Sequence, residues 1–395
     1  MKRVLLILLS LFSGLLIPIL IYSPVKAESW SRPTQLTNLT VGSSCISICS
    51  DGSKIGFDSD VYGDYASYAT FVVNSDGTEL TQVTKPTIYL GSWSISGDGS
   101  KIAFDKFYAF DGYFEVFVVN SDGSGLTQLS NNTGSNPSIS NDGTKIAFTS
   151  NDQNPPFVKG DLEIFVVNSD GTGLTQVTTN TADDQWPVIS GDGSKITFVS
   201  DIDGDNEIFV VNSDGTGLTQ VTTNTADDNN PCISADGSKI AFVSGIDGDL
   251  EVFVVNSDGT GLTQLTDNTV PDSHPSINGD GSKIAFMRSY TEDTSPWDIL
   301  YSTYAVFVVS SEGTGLTKIA KNSKYPSISS DGSKIAFGSN GTVFLTCQLD
   351  TNLTPTPTSS LELEPFPTTL VLVSIVVLVV IGIGIIFYLK KSKLR

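Results

Sequence analysis

Residues 188–222 read VISGDGSKITFVSDIDGDNEIFVVNSDGTGLTQVT. Four short strands are legible in this stretch. Val188-Ile189-Ser190 is the first, and a Gly-Asp-Gly-Ser turn leads into the second, Lys195–Ser200. A variable loop precedes the third, Glu207–Asn212, and Ser213–Gly217 turns the chain into the fourth, Leu218–Thr222. Asp-Gly between apolar β-formers signals a hairpin, because glycine takes a positive φ without steric cost. The third strand is apolar on both sides, with Ile208 and Val210 on one face and Phe209 and Val211 on the other. A sheet with one wet face alternates polar and apolar residues, so both faces of this sheet must be covered.

The same unit recurs along the chain. Asp-Gly-(Ser/Thr)-Lys-Ile begins at Asp51, Asp98, Asp142, Asp192, Asp236, Asp280 and Asp331, and residues 165–184 return letter for letter at 209–228. Four strands in every 44–51 residues predict sheets stacked face to face around an axis, one repeat per blade. A parallel βαβ array is excluded, since no stretch of 28–350 has helical apolar spacing long enough for crossover helices. The last unit has a third strand at Val343–Cys347 and no fourth after it, while an orphan copy, Thr34-Gln35-Leu36-Thr37, precedes the first turn. The expectation is an all-β, seven-bladed β-propeller in which 30–37 supplies the missing strand. Such closure removes the open edges on which sheets aggregate. Six blades plus a decayed unit is the alternative.

Both ends of the 395-residue chain read as membrane segments. Lys2-Arg3, the apolar run Val4–Tyr22 and Val25-Lys26-Ala27 form a secretory signal peptide over 1–27, with an uncleaved anchor as the alternative. Leu370–Leu389 is uncharged. At ~1.5 Å per residue it spans a hydrocarbon core of ~30 Å, and it predicts a transmembrane helix over 370–389. Lys390, Lys391, Lys393 and Arg395 make 390–395 a basic cytoplasmic tail. The propeller then occupies 28–350 on the extracellular side, and the Pro/Thr-rich stretch 351–369 is a semi-rigid spacer. The protein is expected to be single-pass and held to the membrane by its C-terminal helix. Residues 28–365 keep 15 basic side chains against all 43 acidic ones, a net charge of −28. That field repels phosphate backbones and excludes nucleic acid as a partner. The cysteines, Cys45, Cys49, Cys232 and Cys347, include no CxxC pair and read as small, isolated core residues.

SISNDGTKIAFTS, DGDNEIFVVNSDGTGLTQVT and their copies closely resemble the TolB-type, WD40-like propeller repeat known as PD40. The resemblance covers about 30–350 and implies extracytoplasmic scaffolds or the propeller domains of some peptidases. Two departures matter. The family's proline before Asp-Gly is Gly, Asn, Ala or Ser here, and only a spacer and anchor follow the repeats, so likeness to prolyl-oligopeptidase-type enzymes is expected to stop at the propeller. Pro-Phe-Pro, the apolar run and the basic tail also resemble surface-anchoring C-termini of archaeal proteins.

The loops between second and third strands share one face with the inter-blade linkers, and both vary. They carry Trp93, Trp186, His274, Tyr290, Trp297, Tyr301 and Tyr325. Aromatic rings held on a rigid scaffold suit recognition of a protein or glycan, although several would equally serve to cap blade cores. Asp201, Asp203, Asp205 and Glu207, with Asp247, Asp249 and Glu251 one blade later, place hard oxygen donors around a glycine, which suits Ca2+. Glu115, Glu163, Glu207 and Glu251 recur at the start of third strands, so a structural hydrogen bond explains them as well. Catalysis has no signature: there is no G-x-S-x-G elbow, and His274 is the only histidine. The expected function is binding through the variable face. A carbohydrate-active hydrolase or lyase using loop carboxylates, and an architectural envelope protein, are the alternatives.

Overall fold

In a computed structural model, the described residues run from 29 to 349, except 39–44, 62–67, 87–89, 109–111, 132, 152–160 and 292–301. The expected signal peptide, spacer, transmembrane helix and tail lie outside them, as do Trp297 and Tyr301 and the side chain of Tyr290. The chain separates into two units, Met1–Leu349 and Asp350–Arg395, and the described residues all belong to the first. None of them forms a helix long and apolar enough to cross a membrane.

The described residues form seven four-stranded antiparallel sheets. The fourth blade pairs Asp184–Ile189, Lys195–Ser200, Glu207–Asn212 and Thr219–Gln220 in chain order. The second and third strands start and stop where the sequence puts them. The first begins four residues earlier than Val188, and only Thr219–Gln220 of the fourth lies in the ladder. Facing register brings Phe198 onto Phe209, stacked with ring centroids 5.7 Å apart. Every blade repeats this pair, from Phe57–Phe71 to Phe337–Phe344. Apolar side chains on both faces of the third strand bury against the adjoining blades. Ile164 and Val166 of blade three thus share a cluster with Ile189, Phe198 and Phe209 of blade four.

Closure follows the expected route. Thr34–Gln35 pairs with Leu345 and Phe344 as the outer strand of blade seven, and Trp30 bridges Gln348. Ile46, Ile48 and Phe57 of blade one pack with Val343 and Leu345 of blade seven. The ring has seven blades.

Two circular stitches run around the face of the Asp-Gly turns. The first is backbone: Ser50 N–H donates to Gly97 O, Asp98 to Asn141, Asn141 to Gly191, Asp192 to Ala235, Asp236 to Gly279, Gly279 to Ser330, and Ser330 back to Ser50. The second is the lysine of each Asp-Gly-(Ser/Thr)-Lys-Ile motif. Its Nζ crosses to the next blade, as from Lys195 to Gly237 O (3.2 Å) and Ser257 Oγ (2.7 Å), and from Lys334 to Gly52 O (2.9 Å) across the closure. The backbone ring accounts for the missing family proline. At Ser50, Asn141, Gly279 and Ser330 the N–H at that position is itself a donor, and proline has none. Space is tight there: a Cβ on Gly97 would lie 2.3 Å from both Asn141 Oδ1 and Ser50 Oγ.

Ser330→Pro should therefore strand the Ser50 carbonyl at a cost of about 1–3 kcal/mol and lower the unfolding midpoint by several degrees. Ala235→Pro, at the equivalent position but outside the donor set, should cost clearly less. Thermal unfolding of the two variants decides, and equal losses would show that the ring is not what excludes proline.

Candidate functional site: the mouth of the central channel

The innermost strand of a blade starts on the variable face and ends at the Asp-Gly turn. In blade four its register slips. Gln185 opposes Val199 and Val188 opposes Thr197, leaving Trp186 and Pro187 opposite Phe198 alone. This is a β-bulge. The same slip recurs at Asn136-Pro137, Asn230-Pro231, His274-Pro275 and Tyr325-Pro326. At each the residue before proline has positive φ: 54° for Asn136, 52° for Trp186, 52° for Asn230, 51° for His274 and 53° for Tyr325. Proline suits the second bulge position because it has no N–H to leave unpaired. The first position is strained for any residue but glycine.

These bulges ring the entrance of the axial channel. A cavity of about 350 Å3 opens there, lined by Cys45–Ser47, Trp93, Val188, Asn230, His274 and Tyr325, by the proline after each of the last three, and by Ser276 and Ser327. Six of the seven blades contribute, which places it on the axis. His274 meets Tyr325 edge-on, centroids 5.2 Å apart. Loss of water around His274 holds its pKa below the ordinary histidine value, so the ring is neutral at pH 7. Burial, and then Tyr304 and Cys45, raise that of Tyr325. Deeper in the channel, serines tie neighbouring inner strands together. Ile139 N–H donates to Ser94 Oγ, Ile189 to Ser138, Ile328 to Ser276 and Ile48 to Ser327. Cys232 takes that serine's place in blade five and accepts from the Ile277 backbone.

The aromatic residues expected on this face divide. Tyr325 and His274 stand together at the mouth. Trp186 is 43% exposed at the equivalent position in blade four. Trp93 lines the cavity but is 4% exposed, packed over Gly56, where a Cβ would clash with its ring. Asn136 and Asn230 escaped attention in the sequence, although the recurrent residue-Pro pair marks both.

Two buried carboxyls support the mouth and were also missed. Asp105 Oδ2 accepts the Asn136 N–H at 2.8 Å, and Asp58 faces the Trp93 indole and the Thr70 hydroxyl. Burial pushes each up to about 7. The signal available was Asp inside a second strand, where other repeats carry Thr149, Val199 or Val243.

The acidic loops lie on the outer part of this face. Asp201 Oδ1 accepts the Asp183 N–H (3.0 Å), and Asp203 and Asp247 accept from Gln220 and Gln264 (2.7 and 2.6 Å). Glu163, Glu207 and Glu251 are buried and accept from Thr178, Thr222 and Thr266. The structural role foreseen for them is thus present. Among the described residues, Asp203, Asp205 and Glu207 are the one set of three whose ligand atoms all lie within 4.8 Å of one another.

Residues 64–305 match the TolB beta propeller domain, PD40. The chain belongs to the TolB β-propeller family. No curated protein matches it significantly. Among solved structures, this TolB-type propeller is similar to an oligogalacturonate lyase from Vibrio parahaemolyticus, with 16% identity over 81% of this chain and 96% of that one and a TM-score of 0.59. TolB from Acinetobacter baumannii is also similar, at 16% identity over 76% and 65% and a TM-score of 0.50. Prolyl endopeptidases follow at 14% identity and a TM-score of 0.55. There 82% of this chain covers half of the other. At such identities the likeness is one of fold.

The buried carboxyls give the TolB-type ring an unusual acid response. A carboxyl whose folded pKa is raised binds more protons folded than unfolded, so its stabilising contribution is complete below about pH 4 and is lost as pH rises through about 7. The unfolding midpoint should fall by several degrees from pH 5 to pH 8. Asp58→Asn or Asp105→Asn should flatten that slope, and an unchanged slope in both would remove these groups as its cause.

Proposed function

We propose that this TolB-type propeller is an extracellular binding scaffold, tethered to the membrane through Leu370–Leu389, that captures a segment of a partner protein at the channel mouth and performs no chemistry on it. The carrying observation is the set of five left-handed, non-glycine residues. Each costs on the order of 1–3 kcal/mol. Glycine meets the same demand at every Asp-Gly turn of this chain, so side chains are kept at the mouth despite the strain. Two amides, an indole, an imidazole and a phenol offer hydrogen bonds and flat apolar surface without net charge, which suits a polypeptide.

Three further points support the reading. Family membership fits a protein partner. No carboxylate is among the described residues lining the cavity, which favours binding over acid–base chemistry on a sugar. The field of the −28 segment would draw in a basic partner. Trp186 would also stack on a sugar ring, so a glycan is the second reading.

The test is binding of the full-length chain to peptide and glycan panels, compared with a Trp186→Ala/Tyr325→Ala variant. Peptide binding weakened at least tenfold, with unchanged thermal unfolding, is expected. Selective glycan binding would replace the partner class, and turnover of a polygalacturonide would establish the lyase alternative instead.

A further inference from the structure

We propose that Asp203, Asp205 and Glu207, backed by Asp228, form a divalent-cation site of calcium type at the junction of blades four and five. Four carboxyls converge there. Glu207 and Asp228 are both fully buried and face each other at hydrogen-bonding distance. Glu207 Oε2 is occupied by Thr222 and Asp228 Oδ2 by Asn224. That leaves Glu207 Oε1 and Asp228 Oδ1 facing only each other and the Ser244 hydroxyl, and Asp205 Oδ2 buried with no hydrogen-bond partner. Carboxylates buried against one another are costly, and a pair with a third carboxylate oxygen orphaned beside it calls for a positive charge.

The next junction shows what that charge does. Glu251 and Asp272 occupy the positions of Glu207 and Asp228, and Arg288 replaces Ser244. Its guanidinium grips Asp272 with two bonds, Nε to Oδ1 at 2.7 Å and Nη2 to Oδ2 at 2.6 Å. Glu251 Oε1 accepts the Asn268 N–H and Oε2 its amide. Neither Glu251 nor Asp272 is left with an orphaned oxygen, and of the carboxyls at this junction only Asp249 Oδ2 is. One junction therefore carries its cation in the sequence. Its neighbour has the same four carboxyls, with Asp203 and Asp205 where the other has Asp247 and Asp249, and no basic group in contact among the described residues.

Geometry favours a metal. Ligands of one Ca2+ at ~2.3–2.6 Å can be at most about 5 Å apart, and the oxygens of Asp203, Asp205 and Glu207 all fall within 4.8 Å. An all-oxygen donor set of mixed exposure suits Ca2+ better than the rigid octahedron of Mg2+. None of the three ligating side chains lines the channel-mouth cavity, so the site does not depend on what the mouth binds.

Calcium chloride titrated calorimetrically into the chelator-treated full-length protein tests it. One saturable equivalent is expected, with a rise in unfolding midpoint, since a ligand of the folded state stabilises it. Asp205→Asn should weaken binding at least tenfold. The exposed Asp203→Asn gives a second reading should that variant fold poorly, and Asp249→Asn, beside the arginine-served junction, should leave binding intact. No heat and no shift in midpoint up to millimolar Ca2+ would overturn the site and leave protons to neutralise the cluster. Weak binding of many equivalents, indifferent to Asp203 and Asp205, would overturn it as diffuse attraction to an acidic surface.

Discussion

Seven backbone hydrogen bonds, one at each blade junction, run in a closed circle around the Asp-Gly-turn end of the channel. A stack of similar wedges is quasi-linear, and its end units normally expose an unpaired face. The circle converts that stack into a ring in which every wedge has two neighbours. Lys334 reaches Gly52 across the closure just as Lys195 reaches Gly237 within the chain. Blade seven is also composite, with Thr34–Gln35 paired to Phe344 and Leu345. Opening the ring there must break an inter-strand ladder, a lysine staple and a shared apolar cluster together. Each bond is worth only about 0.5–1.5 kcal/mol net, so the stability of the closure rests on their failing as a group.

The fold was legible because its information is periodic. A positive-φ turn needs Gly, a two-sided strand needs apolar residues at successive positions, and both recur seven times. The closure was legible from arithmetic, one missing strand at the end and one spare at the start. What was not legible is whatever depends on which blade lies next in the ring. Lys195 looks like a solvated strand-end lysine until the neighbouring turn carbonyl is placed beside it. The absent family proline has no cause in the sequence, and is explained at Ser50, Asn141, Gly279 and Ser330 once the N–H of each is seen to donate across a junction. The first strands were read too short because a bulge interrupts the alternation that defines a strand. Trp186 and Pro187 share one partner, and a period-two pattern cannot survive that.

The channel mouth was half legible. Its aromatic residues stood out by type, and two of them, His274 and Tyr325, do meet. Aromatic character alone could not separate Trp186, exposed at a bulge, from Trp93, sunk over Gly56. The distinction lies in the backbone: Trp93 stands where other repeats have the bulge proline, one place beyond the left-handed position. Asn136 and Asn230 share the geometry of Trp186 without its conspicuousness.

The two ends of the channel are built from different materials, and this governs what each can become. At the Asp-Gly-turn end the ring consists of main-chain groups with side chains packed closely around them. A substitution there acts through volume or loss of an N–H, and most alternatives are excluded. At the mouth the backbone is fixed by a bulge whose second residue is proline, and the side chain at the first position makes at most a local contact with a neighbouring blade, as Asn136 does with Ser92 and His274 with Tyr325. Asn, Trp, Asn, His and Tyr occupy that one position in successive blades from the third to the seventh. Residues 165–184 and 209–228 are identical, yet the bulge residues that follow them are Trp186 and Asn230. Divergence is concentrated outside the backbone circle that closes the ring, so a nearly symmetric scaffold presents an asymmetric surface.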